Sequence, residues 1–126
     1  AATVGAGETV VVNVNVQDVS NLFGAEFHIN FDTAYLEVVD ADTGTDGVQI
    51  GLGDFLSPDF VAANAANNAT GTIDFGVAQM APHSPVSGSG TLATITFRGT
   101  NAGTANVVFT SVLLSDASGT EIPASA

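Results

Sequence analysis

Apolar and polar residues alternate along residues 25–31 of the chain. Every second residue is apolar, and the residues between them are Glu26, His28 and Asn30. A period of two places the two sets on opposite faces of a β-strand, so the pattern predicts a half-buried strand with these three side chains facing outward. A short break at residues 32–34 is followed by the run YLEVV, which predicts the next strand at residues 35–39.

The same alternation recurs along the rest of the chain, between segments rich in Gly, Asn, Ser and Pro. It predicts further strands at residues 10–17, 48–50, 59–63, 72–78, 92–97, 105–114 and 120–122. Residues 81–90 contain two prolines and no pattern, which predicts a loop, and the alanine-rich residues 62–70 lack the apolar period of a helix. About nine short strands predict an all-β fold, an antiparallel β-sandwich. The length predicts a single domain over residues 1–126.

The apolar phase of these strands predicts which side chains pack between the two sheets. They are Phe27, Ile29, Phe31, Leu36, Phe75, Ile95, Phe97 and Phe109. The chain has no cysteine, so the predicted core forms without disulfide bonds.

The charge of the chain restricts its partners. It carries 13 acidic side chains against one basic side chain, Arg98, and its formal net charge is -12. Binding to nucleic acid or to an anionic membrane surface needs several basic contacts, so neither partner is predicted. No apolar run approaches the ~18 residues that span a membrane, so membrane insertion is not predicted either. We expect a secreted or cell-surface module whose export signal has been removed.

Five segments of the chain carry a family pattern, in a fixed order. They are GETV at residues 7–10, the run from DVS at 18–20 through LEVV at 36–39, TGTIDF at 70–75, GSGTLATITF at 88–97, and the ending from VLLSD at 112–116 to EIP at 121–123. In sequence and order these segments resemble cohesin modules. The resemblance implies a nine-stranded jelly-roll sandwich that binds dockerins, which are small calcium-loaded helical modules, and so attaches enzymes to scaffolds or cell surfaces.

The resemblance also implies which sheet binds the partner. The third, fifth, sixth and eighth strands would form it, here residues 25–31, 59–63, 72–78 and 105–114. Alternation then gives the outward, partner-binding residues as Glu26, His28 and Asn30 on the third strand and Asp74 and Gly76 on the sixth. An acidic face of this kind complements the lysine and arginine side chains that many dockerins present.

Catalysis is not predicted, and no catalytic residue is assigned. The chain has no cysteine, and His28 and His83 are its two histidines. His28 lies on the polar face of a strand, and His83 follows a proline in a predicted loop. No acidic residue interrupts an apolar face, where burial would raise its pKa for glycoside hydrolysis.

Hard oxygen ligands are concentrated in one predicted loop. Asp40, Asp42 and Asp46 lie within seven residues of one another with Thr43 and Thr45 among them, but without the twelve-residue pattern of an EF-hand. Two interpretations stay open here, a solvated acidic turn and a structural calcium site. No other cofactor is predicted.

Two alternative functions also stay open. The short terminal strands, at residues 1–4 and 120–123, would leave a sheet edge exposed, so copies of the chain could assemble into a fibre or sheath through contacts at residues 1–9 or 118–126, or through calcium. Carbohydrate-binding modules share the jelly-roll shape, but the chain has no tryptophan and most of its phenylalanines are on the buried phase, which argues against a polysaccharide partner. The triplet Asn68-Ala69-Thr70 matches the N-glycosylation pattern.

Overall fold

The strands and sheets are seen in a computed structural model that describes residues 2–123. Within that range every element is a β-strand and every strand pair is antiparallel. The strands are β1 Ala2–Val4, β2 Thr9–Leu22, β3 Gly24–Phe31, β4 Leu36–Val38, β5 Gly51–Leu52, β6 Phe60–Asn67, β7 Thr72–Ala78, β8 Val86–Gly99, β9 Gly103–Ala105, β10 Val107–Ser115 and β11 Glu121–Ile122. No helix of residues 2–123 is long and apolar enough to cross a membrane.

Two sheets form the sandwich. One has five strands in the order β11-β10-β3-β7-β6. The other has four strands: β2, β8 and β4 lie side by side in that order, and the short strand β5 also pairs with β8. β1 and β9 form a separate two-stranded sheet. The predicted antiparallel β-sandwich is therefore confirmed.

The core lies between the five-stranded and four-stranded sheets. Seven of the eight predicted core side chains are buried, and Phe75, Ile95 and Phe97 have no measurable exposure. Phe31 of β3 meets Phe97 of β8 across the sandwich, with ring centroids 5.4 Å apart. The alternating apolar phase read from the sequence therefore places the core correctly on β3, β4, β7 and β8.

The prediction that Phe109 is buried was wrong. Phe109 pairs with the inward residue Ile29, but it lies at the side of the sandwich, and 42% of its surface is exposed. Its ring contacts the core only edge-on through Phe27, at 5.8 Å. A register shift between Phe109 and Ser111 then places an extra residue, Thr110, in β10. Strict alternation could not show the bulge or the position of the strand at the edge of the core.

Several predicted strand boundaries also differ from the structure. β8 begins at Val86, inside the predicted loop at 81–90. The predicted strand at 105–114 is interrupted at Asn106. The predicted strand at 48–50 is reduced to an isolated bridge between Val48 and Ala66. The predicted strand at 59–63 extends to Asn67, so the alanine-rich segment is largely strand.

Within residues 2–123, the first and last strands do not pair with each other. β1 pairs with β9 instead, and β11 pairs with β10 through Leu114 and Ser115. Residues 1 and 124–126, which belong to the hypothesis of a terminal subunit contact, lie outside the described residues.

Asparagine side chains connect the two sheets at the β6 side of the sandwich. Ile50 donates its amide hydrogen to Asn64 Oδ1 at 2.8 Å, and Asn64 Nδ2 donates to the Ile50 carbonyl at 2.9 Å. Asn68 makes the same pair of hydrogen bonds with the backbone of Val38, at 2.7 and 3.2 Å. Each amide thus replaces one rung of a β-ladder, which satisfies backbone groups that no strand pairs there.

Candidate functional site

The outward face of the five-stranded sheet brings the predicted binding strands side by side. β10, β3, β7 and β6 are adjacent, and their registers align outward residues into rows across the sheet. The central row is Ser111, His28, Asp74 and Ala65. We call this surface, made of the outward residues of these four strands, the platform.

The next row of the platform contains two of the predicted residues. It consists of Leu113, Glu26, Gly76 and Ala63. Gly76 is on the predicted face but is buried rather than exposed, because the side chains beside it cover its backbone. A Cβ added there would lie 3.6 Å from the Cβ of Ala62 and 3.7 Å from Cγ of Glu26. The platform is therefore shallow and lined by small residues on its β6 side.

His28 is held between two carboxylates at the centre of the platform. Its Nδ1 lies 2.6 Å from Asp74 Oδ1, and its Nε2 lies 3.2 Å from Glu26 Oε2. The hydrogen bond to Asp74, followed by that to Glu26, raises the pKa of His28 above its ordinary value. Both ring nitrogens donate when the imidazole is protonated, so the two carboxylates stabilise the cation. Asn30 is exposed in the following row, between Val108 and Thr72.

Apolar side chains flank this polar centre, and the sequence interpretation missed them. Leu113 is opposite Glu26 and is 43% exposed, and Val108 is opposite Asn30 and is also exposed. On the other side, Phe60 begins β6 and is 56% exposed. The sequence signal for an outward Leu113 was its place next to Leu114, which is buried. The bulge at Thr110 stops the same alternation from predicting that Val108 also faces outward. The signal for Phe60 was its position at the start of a predicted strand.

The platform contains no lysine or arginine. Arg98 is the one such residue of the chain, and it lies in the other sheet, where its Nε donates to Glu37 Oε1 at 2.6 Å. The exposed charges of the platform are therefore Glu26 and Asp74, partly offset by His28 when it is protonated. This surface attracts a basic partner surface and repels an acidic one.

The three aspartates of the predicted calcium loop are not brought together. Within residues 2–123, no group of three acidic or metal-ligating side chains could hold a metal ion. Asp40 Oδ1 instead accepts hydrogen bonds from the amides of Asp42 and Gln49, at 3.0 and 3.2 Å. Asp42 accepts from the Gly44 amide and the Thr45 hydroxyl. Asp46 contributes its backbone carbonyl, which accepts from Gln49 Nε2 at 2.7 Å.

The second histidine forms a separate pair on a turn. His83 Nδ1 lies 2.6 Å from Asp59 Oδ2, which also accepts from the Met80 amide at 2.8 Å. The Met80 hydrogen bond, supported by His83, lowers the pKa of Asp59. These contacts fix a surface loop that follows β7.

The glycosylation motif at Asn68 has a structural use. Asn68 Nδ2, the nitrogen that would carry a glycan, donates to the Val38 carbonyl, and its Oδ1 accepts from the Val38 amide. A glycan would replace one of the two hydrogens on this nitrogen, so the other hydrogen would have to keep the bond to the Val38 carbonyl.

Comparison with known proteins identifies a family and a fold. The family model of the cohesin domain matches residues 1–126. No curated protein matches the chain. A type II cohesin from Bacteroides cellulosolvens is 24% identical with a TM-score of 0.78, and the match covers 95% of this chain and 85% of that chain.

Two structures from Acetivibrio cellulolyticus are similar to the same degree. A type II cohesin domain from its cellulosome is 22% identical with a TM-score of 0.79, covering 95% of this chain and 81% of that chain. A type II cohesin in complex with an X-dockerin is 20% identical with a TM-score of 0.80, covering 98% of this chain and 86% of that chain. At these identities the matches show a shared fold, and the predicted jelly-roll architecture is confirmed.

Proposed function

The chain belongs to the cohesin domain family, and on this premise we propose that it is a non-catalytic attachment module that binds a dockerin-like module through the platform. Its family supports a binding role, and a structure with the same fold was determined as a cohesin–dockerin complex. We further propose that it works outside the cell, in a secreted assembly or at the cell surface.

The observation that carries the proposal is the composition of the platform. Polar side chains at its centre, Glu26, His28 and Asp74, are flanked by the exposed apolar side chains Leu113 and Phe60. Small residues between them, such as Ala65, allow another backbone or helix to approach closely. Apolar anchors around a charged centre are what a specific protein–protein interface requires, since the apolar contacts supply affinity and the charges select the partner.

Substitution on the platform tests the proposal. Ala65→Trp would place an indole beside Asp74, and we expect it to weaken binding to a cohesin-binding dockerin by about tenfold or more. Val11→Trp is the matched control, because Val11 is exposed on the outer face of the other sheet. Calorimetric titration of the wild type and both variants with a panel of dockerins measures the effect. Equal loss in both variants, or none in either, would place the interface elsewhere.

Self-assembly is the second candidate function, and one observation favours it. Within residues 2–123, β2 is a strand of 14 residues at the edge of its sheet, and such an edge can pair with another chain. The net charge of -12 on each copy opposes association. Light scattering at rising salt concentration measures the balance, and growth of large particles would support assembly.

A carbohydrate platform is not favoured. Phe60 and Phe109 are the phenylalanines whose exposure is high in the described chain, and they lie on β6 and β10, at opposite sides of the five-stranded sheet. They do not form the aromatic row on which a sugar chain stacks.

A further inference from the structure

The four strands of the platform carry few ionisable side chains, and those few are in contact with one another. β10 and β6 contain none, β7 contains Asp74, and β3 contains Glu26 and His28. The His28 ring lies 2.6 Å from Asp74 and 3.2 Å from Glu26. The side chains of His28, Glu26 and Asp74 are 38%, 50% and 54% exposed, so a partner can reach all three. We call these three residues the His28 cluster.

The neighbours of His28 on the other strands of the platform carry no charge. Its row continues with Ser111 of β10 on one side, and beyond Asp74 with Ala65 of β6 on the other. The charged groups that face the imidazole are therefore Asp74 and Glu26. Their hydrogen bonds, that of Asp74 first, raise the pKa of His28 above its ordinary value.

The two carboxylates of the cluster cannot both be satisfied when His28 is neutral. A protonated imidazole donates from both ring nitrogens, whereas a neutral imidazole has one N–H and one lone pair. The contact with Asp74 is the shorter one, at 2.6 Å, so the remaining N–H stays with Asp74. Glu26 would then face the lone pair of Nε2 and lose its donor. Deprotonation of His28 thus makes Glu26 available to a different cation.

The row of Glu26 leaves room for such a cation. Gly76 is opposite Glu26 on β7, and a Cβ at Gly76 would lie 3.8 Å from Glu26 Oε1, so β7 places no side chain beside this oxygen. On the other side lies Leu113, which is 43% exposed. Lysine and arginine have an aliphatic stem as well as a charged end. The stem can pack on Leu113 while the charged end pairs with Glu26.

We propose that the His28 cluster is a proton-linked site for one lysine or arginine side chain of the partner, which pairs with Glu26 in place of the His28 imidazolium, so that binding releases a proton. The inference rests on the proposed function, since it takes the platform as the surface that the partner covers. Binding favours neutral His28, so the affinity rises with pH through the titration of His28. For one proton the rise is at most about tenfold per pH unit.

A small cation tests the site without any dockerin. The probe is acetyl-arginine-amide, which carries one guanidinium, and potassium chloride at equal concentration is the control for ionic strength. NMR titration of the intact protein follows His28, while the signals of His83 report the general effect of added salt. We expect the titration midpoint of His28 to be lower in the probe than in potassium chloride, by about 0.3 pH units when the probe concentration equals its dissociation constant.

Two variants locate the effect at Glu26. Glu26→Gln keeps the shape of the side chain and removes its charge, so we expect the two titrations of His28 to coincide in this variant. Glu8→Gln is the matched control, because Glu8 is exposed and immediately precedes β2, which belongs to the other sheet. This variant should keep the difference between the probe and potassium chloride.

A complex tests the same site with a macromolecular partner. Calorimetric titration with a dockerin that the chain binds is repeated between about pH 5.5 and about pH 8, the range in which histidine titrates. Buffers of different ionisation enthalpy give the number of protons released. We expect proton release and rising affinity in the wild type. His28→Gln cannot titrate, so neither effect is expected in this variant.

Two results would overturn the proposal. One is an equal titration midpoint of His28 in acetyl-arginine-amide and in potassium chloride. The other is the same pH dependence of dockerin affinity in the wild type and in His28→Gln. Failure of every dockerin to bind would contradict the proposed function, and the arginine probe would still decide whether the His28 cluster takes a basic side chain.

Discussion

The two sides of the five-stranded sheet differ in how they connect to the opposite sheet. At β6, the side chains of Asn64 and Asn68 hydrogen-bond to the backbone of Ile50 and Val38 and join the sheets. At β10, no such side-chain link reaches β2 within residues 2–123, and a groove lined by both apolar and polar residues lies between the two strands. One amide side chain can thus replace a missing strand pair at the β6 side of the sandwich. The platform lies between these two sides of the sheet.

The largest expected difference is between two phenylalanines, Phe75 in the core and Phe109 at the β10 side of the sandwich. Phe75 is fully buried, and Phe75→Ala should lower the free energy of unfolding by about 3–5 kcal/mol, through lost burial and a new cavity. Phe109→Ala removes mainly the edge-on contact with Phe27, so about 1 kcal/mol is expected. Urea denaturation measures both values. A cost below ~1 kcal/mol for Phe75→Ala would contradict the assigned phase of β7.

The asparagine links should stabilise the β6 side of the sandwich measurably. Asn64→Ala leaves the amide and carbonyl of Ile50 without partners in a partly buried position, so a loss of about 2–3 kcal/mol is expected. Asn13→Ala on the exposed face of β2 is the matched control, and it should cost no more than about 0.5 kcal/mol. Similar losses of unfolding free energy in the two variants would contradict the linking role assigned to Asn64.

The sequence predicted the sheets better than it predicted their edges. Alternation on β3 and β7 gave the buried phase and the outward residues Glu26, His28 and Asp74, because both strands lie between neighbours and have one face in the core. It failed for Phe109, because position at the end of a sheet depends on which strands are adjacent, and no local pattern records that. It also missed Asn64 as a structural link, since its partner Ile50 is distant in sequence.

The calcium prediction for Asp40, Asp42 and Asp46 has not been tested. The hydrogen bonds to loop amides favour the solvated turn, although the side-chain oxygen Oε1 of Gln49 is buried without a donor nearby. We expect unfolding transitions in EDTA and in millimolar calcium to superimpose. A rise in melting temperature with calcium, absent in Asp42→Asn, would instead support a bound ion.

The smallest expected effect is the titration of His28. Its pKa is raised by Asp74 and Glu26, so the stability it contributes is fully present below its unfolded pKa and is lost as the pH rises through the folded value. Asp74→Asn should return the pKa of His28 towards the ordinary value, as measured by NMR titration. An unchanged pKa would mean that the hydrogen bond of 2.6 Å does not persist in solution.

The central claim is that the platform, and not the side of the sandwich between β2 and β10, binds the dockerin. Hydrogen exchange of the wild-type chain, alone and saturated with a dockerin that it binds, tests this claim most directly. We predict that binding slows exchange of the backbone amides in β3, β7 and β6 and around Leu113, and that exchange in β2 does not change. Slower exchange confined to β2 and the groove-facing edge of β10 would contradict the assignment of the partner to the platform.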